Sequence, residues 1–103
     1  MKIYIAGKIS GITKEQYTAN FKSAEIQLRA SGRIPVNPCD FGIPDIATSE
    51  FALKICLPIL KQCSHIYLLD NWNDSPGAVI ERQFAIDNGI EVTYQNRQTA
   101  IIL

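Results

Sequence analysis

The chain has 103 residues, 47% hydrophobic and 19% charged, with ten basic residues balanced by ten acidic ones. That length can bury roughly 60–70% of its unfolded surface around one core, so a single domain over 1–103 is expected, and disorder or a fibrous repeat is excluded. A neutral chain without a Lys/Arg cluster has little electrostatic pull toward a nucleic-acid polymer or an anionic membrane, which leaves a small molecule as the expected partner.

Met1-Lys2-Ile3-Tyr4-Ile5-Ala6 carries one charge and an apolar run too short for a signal peptide or a membrane span, so the cytosol is the expected location. Lys2 to Ala6 reads as the first strand, stopped by Gly7 and followed by the loop Gly7-Lys8-Ile9-Ser10-Gly11. Thr13 and Gln16 are spaced as a capping box, and Tyr17, Phe21, Ala24 and Leu28 share one stripe, which predicts a helix to about Ala30, ending at Gly32. Two prolines make Ile34-Pro35-Val36-Asn37-Pro38 a brief extended segment. After a loop rich in Pro, Gly and Asp, Thr48 or Ser49 caps a second helix to about Gln62, in which Pro58 predicts a kink or a late start.

Ile66-Tyr67-Leu68-Leu69 is an unbroken apolar run, as expected of a central strand covered on both faces. The polar loop from Asp70 to Asp74 leads into a third helix from Pro76 to about Asn88, closed by Gly89. Glu91 to Tyr94 makes a fourth strand, and Ala100 to Leu103 is expected to add a fifth or to dock on a neighbour. This alternation implies βαβ units and an α/β fold: a three-layer, doubly wound sandwich of the flavodoxin-like or Rossmann-like kind, with a mostly parallel sheet of four or five strands. Its ligand crevice belongs at the carboxyl ends of the strands, where the loops Gly7 to Thr13, Pro38 to Thr48 and Asp70 to Ser75 meet. Cys39, Cys56 and Cys63 form no Cys-x-x-Cys pair and His65 is the single histidine, so free thiols and no metal or cofactor site are expected.

Ser75-Pro76-Gly77 places a capping hydroxyl before a proline at the first helical position, an end that can also bind a phosphate or carboxylate, with Gly77 admitting the ligand to the backbone. Glu81 shares its helical face with Gly77, Ala78, Phe84 and Ala85, and no cation lies on that stripe. Such a carboxylate is either paired through a tertiary contact, for instance with Lys8, or held for function. Tyr4 lies where a phenol could reach the same crevice, although strand tyrosines also serve as core. Asp70, Asn71 and Asp74 could supply a second polar or acid group, Trp72 a flat wall or simple packing, and Gly7, Ser10 and Gly11 a backbone cradle for a sugar or phosphate, without matching a Walker or dinucleotide pattern.

The opening Ile3-Tyr4-Ile5-Ala6-Gly7-Lys8-Ile9-Ser10-Gly11, with Ser75-Pro76-Gly77-Ala78-Val79-Ile80-Glu81 and Ala85 to Gly89, resembles the nucleoside 2-deoxyribosyltransferase-like superfamily, and within it a small bacterial and phage group of unknown function. The resemblance implies that Glu81 attacks the anomeric carbon of a nucleoside, that Tyr4 orients it, and that Ser75 holds a 5′-phosphate. Gly7, Lys8, Ser10, Gly11, Trp72 and Gly77 are the other expected substrate contacts, and the resemblance further implies a homo-oligomer in which a neighbour completes each pocket. Relatives often carry aspartates where this chain has Cys56 and Ser64, so Asp70 or Asp74 must serve as the acid or turnover is weak. The sequence thus predicts an N-glycosidic bond enzyme acting on a deoxynucleoside or its 5′-monophosphate. The alternative is a nucleotide or nucleotide-sugar binding domain with little or no turnover.

Overall fold

The computed structural model describes residues 1–96, so the Ala100 to Leu103 segment lies outside the described residues. Strand β1 spans Lys2–Ala6. Helix α1, Lys14–Ala30, starts on the expected capping box: the Thr13 hydroxyl oxygen accepts from the Gln16 N–H at 3.1 Å and the Gln16 side chain accepts from the Thr13 N–H at 3.0 Å. Strand β2, Ile34–Val36, runs into a 3₁₀ turn at Pro38–Phe41 that the loop composition does not announce. The Asn37 side chain nucleates it by accepting from the Cys39 N–H at 2.9 Å.

Helix α2, Ser49–Lys61, begins directly after its Thr48 cap and runs through Pro58, so the late start does not occur. Pro58 is exposed, and burial of Cys56 and Leu60 on the other face holds the turn that its missing N–H weakens. Strand β3 occupies His65–Leu68, one residue ahead of the apolar run, because the ladder with β1 opens at His65 opposite Ile3. Helix α3, Pro76–Asp87, and strand β4, Glu91–Tyr94, complete the described fold.

The four strands form one parallel sheet in the order β2-β1-β3-β4. The two-residue period of β1 divides its side chains between two cores. Ile3 and Ile5 pack with Phe21, Ala24 and Leu28 under α1, whereas Tyr4 and Ala6 pack with Cys56, Leu60, Ala78 and Ala85 under α2 and α3. Helices on both faces make this the doubly wound, flavodoxin-like arrangement. The chain leaves β1 toward α1 on one face and β3 toward α3 on the other, so the topological switch lies between β1 and β3, and the crevice opens beyond their carboxyl ends.

Candidate active site

The Ser75 cap fixes where α3 begins: its hydroxyl oxygen accepts from the Ala78 N–H at 3.2 Å. From that start, Ala78, Glu81 and Ala85 fall on the stripe turned toward the sheet, and all three are buried. Glu81 therefore enters an apolar layer, where it meets the phenol oxygen of Tyr4 from β1. The Tyr4 hydroxyl donates to Glu81 Oε2. Among the described residues no hydrogen bond engages Oε1, and 8% of the Glu81 surface stays open. No buried side-chain oxygen or nitrogen among them lacks a partner, which places Oε1 at that opening.

The electrostatics follow from the same geometry. Burial pushes the Glu81 carboxyl up to about 7, against the pull of the Tyr4 hydrogen bond, which favours the ionised form. Burial first, then the charge of Glu81, lifts Tyr4 well above the usual phenol range, so its proton stays on the hydroxyl. Cys56 is buried beside this pair, and its thiol is raised by burial and by the Glu81 charge. The Phe41 ring closes the other side, 6.4 Å from Tyr4 between centroids. The arrangement is a carboxylate poised near neutrality, oriented through one oxygen and open at the other.

The remaining candidates divide by what holds them. Ser75 is 9% exposed and committed as a helix cap, which leaves its own proton available to a ligand. A Cβ added at Gly77 would meet only Ser75 Oγ, at 3.9 Å, so neither packing nor an unusual backbone angle requires glycine there. Gly7 is the opposite: an added Cβ would lie 2.6 Å from Leu69 Cδ1 and 3.0 Å from Leu69 Cβ, so the strand end packs directly on that side chain. Ser10 and Gly11 are exposed in the following turn, where Gly11 takes a φ of +82°. Lys8 forms no ion pair with Glu81; its backbone N–H donates to Asn71 Oδ1 at 3.0 Å, tying the first loop to the third. Trp72 stands against Tyr94 at 6.0 Å, with the Arg82 guanidinium 5.2 Å from its ring centroid and Arg82 Nε donating to the Tyr94 hydroxyl.

Asp70 does not join Glu81. It is exposed in a separate cleft of about 220 Å³, lined also by Asn20, Ser23, Leu69, Asn71 and Gln95, on the α1 side of the sheet. Its backbone N–H donates to Gln95 Oε1 at 3.0 Å, a second tie across the rim. Ser64 lies at the amino edge, where its hydroxyl donates to the Lys2 carbonyl, whereas Cys56 borders the site. Asn71, an expected polar group of the Asp70 to Asp74 loop, serves as a rim anchor, whereas nothing local in the segments of Phe41 and Gln95 marks the contacts they make. Among the described residues no group of His, Cys, Asp or Glu is placed to hold a metal, and no helix is long and apolar enough to cross a membrane.

Comparison with known proteins agrees with the fold. A family model described as a domain of unknown function (DUF4406) matches residues 1–94. Among solved structures, a 2-deoxyribosyltransferase from the psychrotolerant bacterium Bacillus psychrosaccharolyticus aligns with a TM-score of 0.68 and 24% identity, covering 91% of this chain and 71% of that one. The CMP N-glycosidase BcmB of Clostridium botulinum aligns with a TM-score of 0.62 and 18% identity, over 91% and 70%. The fold is thus that of the nucleoside 2-deoxyribosyltransferases. No curated protein matches the sequence.

Proposed function

The chain belongs to the DUF4406 family, and from its site we propose that it breaks the N-glycosidic bond of a nucleoside or nucleoside 5′-monophosphate, with Glu81 as the nucleophile. The observation that carries this reading is the buried Tyr4–Glu81 pair at the carboxyl end of a doubly wound sheet, one carboxylate oxygen held and the other open. Oε1 attacks the anomeric carbon as the C–N bond breaks, and water or a second base then displaces the sugar from the carboxylate. Tyr4 orients Glu81 and stabilises its anion. The start of α3, with the Ser75 hydroxyl and the open space at Gly77, receives the sugar or its phosphate. The names of the two structural neighbours, a 2-deoxyribosyltransferase and a CMP N-glycosidase, support the same bond class.

Val79, Ile80 and Ile86 on α3 are 42%, 46% and 45% exposed, which supports a homo-oligomer that gel filtration would detect. The functional test is release of free base from a panel of deoxynucleosides and their monophosphates. Glu81→Gln is expected to abolish release, and undiminished release would overturn the assignment. The binding-only alternative is favoured if a panel member raises the melting temperature without any base appearing.

A further inference from the structure

Taking Glu81 as the nucleophile, we propose that the preferred substrates are N-glycosyl pyridinium compounds, of which nicotinamide riboside and its 5′-phosphate are the simplest probes. A neutral nucleobase leaves as an anion unless an acid protonates it, so its displacement needs a proton donor beside the nucleophile. Among the described residues, two polar side chains interact with Glu81, and both are poorly suited to that task. The Tyr4 hydroxyl is committed to Oε2, and the buried Cys56 thiol is hydrogen-bonded to Tyr4, with burial raising it above the usual thiol range.

Four other carboxyl groups are engaged or placed elsewhere. Glu25 pairs with Lys22 and Asn37 on the α1 side, and Glu91 pairs with His65, the single histidine, at the amino edge. Asp70 opens into the second cleft, and exposed Asp74 shares no hydrogen bond with Tyr4 or Glu81. Residues 97–103 contain no Asp, Glu or His.

The charge balance favours the same class. Among the described residues no Lys or Arg pairs with the buried Glu81 carboxylate. A pyridinium ring carries a positive charge into the crevice, and attraction between the two is stronger in this water-poor layer than in bulk solvent. When Oε1 bonds to C1′ and the C1′–N pair returns to the ring, carboxylate and pyridinium become a neutral ester and a neutral base. No proton is required. Water then attacks C1′, restores the carboxylate and releases one proton to solvent, so hydrolysis liberates one proton per nicotinamide.

The test measures base release by the intact protein from nicotinamide riboside, cytidine, adenosine and 2′-deoxycytidine, with and without 5′-phosphate. Each rate is divided by the uncatalysed rate, and the Glu81→Gln variant serves as control. The expected result is an acceleration about 100-fold or more greater for the pyridinium compounds, lost in the variant and accompanied by one proton per base. Equal or greater Glu81-dependent acceleration with neutral nucleosides overturns the leaving-group preference and leaves the N-glycosidic reading standing. No release from any compound overturns both.

Discussion

Tyr4 and Glu81 are 77 residues apart in sequence and share one hydrogen bond beneath α3, the phenol donating to the carboxylate. One comes from the third residue of the first strand and the other from the middle of α3, so the pair exists only when the sheet and α3 are docked. Ile3 and Ile5, both fully buried, hold β1 from the opposite face. The position of the phenol is therefore set by the core.

Activity is expected to follow the ionisation of this carboxyl. With Glu81 pushed up to about 7, kcat/KM should be level above neutrality and fall about tenfold per pH unit below it. A rate that stayed level down to pH 5 would show that the reacting group is an ordinary exposed carboxylate.

Stability carries the opposite sign from that of a salt-bridged acid. The folded carboxyl titrates above its usual value of 4.5, so the native state binds the proton more tightly between 4.5 and 7, and stability falls as pH rises through that window. The full difference is roughly 3 kcal/mol. Glu81→Gln is thus expected to exceed the natural protein in stability at pH 8 by roughly 1–3 kcal/mol and to lose that advantage by pH 5. Urea unfolding at the two pH values measures it, and a pH-independent gap would contradict it.

Tyr4→Phe keeps the ring and deletes the bond that favours the ionised carboxyl. The midpoint of the pH–rate profile should move above 7, and activity at neutral pH should drop on the order of 10- to 100-fold. An unshifted midpoint would mean that the phenol does not govern Glu81.

Two glycines separate packing from function. Gly7→Ala forces a methyl onto the buried Leu69 side chain and is expected to cost about 1–3 kcal/mol of stability. Gly77→Ala meets only Ser75 Oγ and is expected to leave stability unchanged or raise it by about 0.5 kcal/mol, yet to weaken base release by filling ligand space. Thermal melts and base-release assays on both variants decide the matter; full activity in Gly77→Ala would remove the helix start from the site.

Local signals carried most of the fold. The Thr13, Thr48 and Ser75 caps, the α1 stripe and the apolar β3 run are written in neighbouring residues, and each element forms within one residue of where they indicate. Pro58 misleads because tertiary burial of its helix outweighs its local cost. Tyr4 and Glu81 are individually conspicuous, but their bond depends on how α3 crosses the sheet, which no local pattern encodes. Asp70 shows the same limit. It follows Leu69, which packs beneath α1, so the chain delivers this acid to the α1 cleft and away from Glu81.

The interior place of β1 also bears on how the protein is made. Its register with β2 closes at residues 34 to 36, whereas its other edge waits for residues 65 to 68. A growing polypeptide therefore carries an apolar strand with one unpaired edge until residue 68 has been synthesised. Ribosome-stalled or prematurely ended products shorter than residue 68 would expose that edge to other chains and would be substrates for chaperones or proteases.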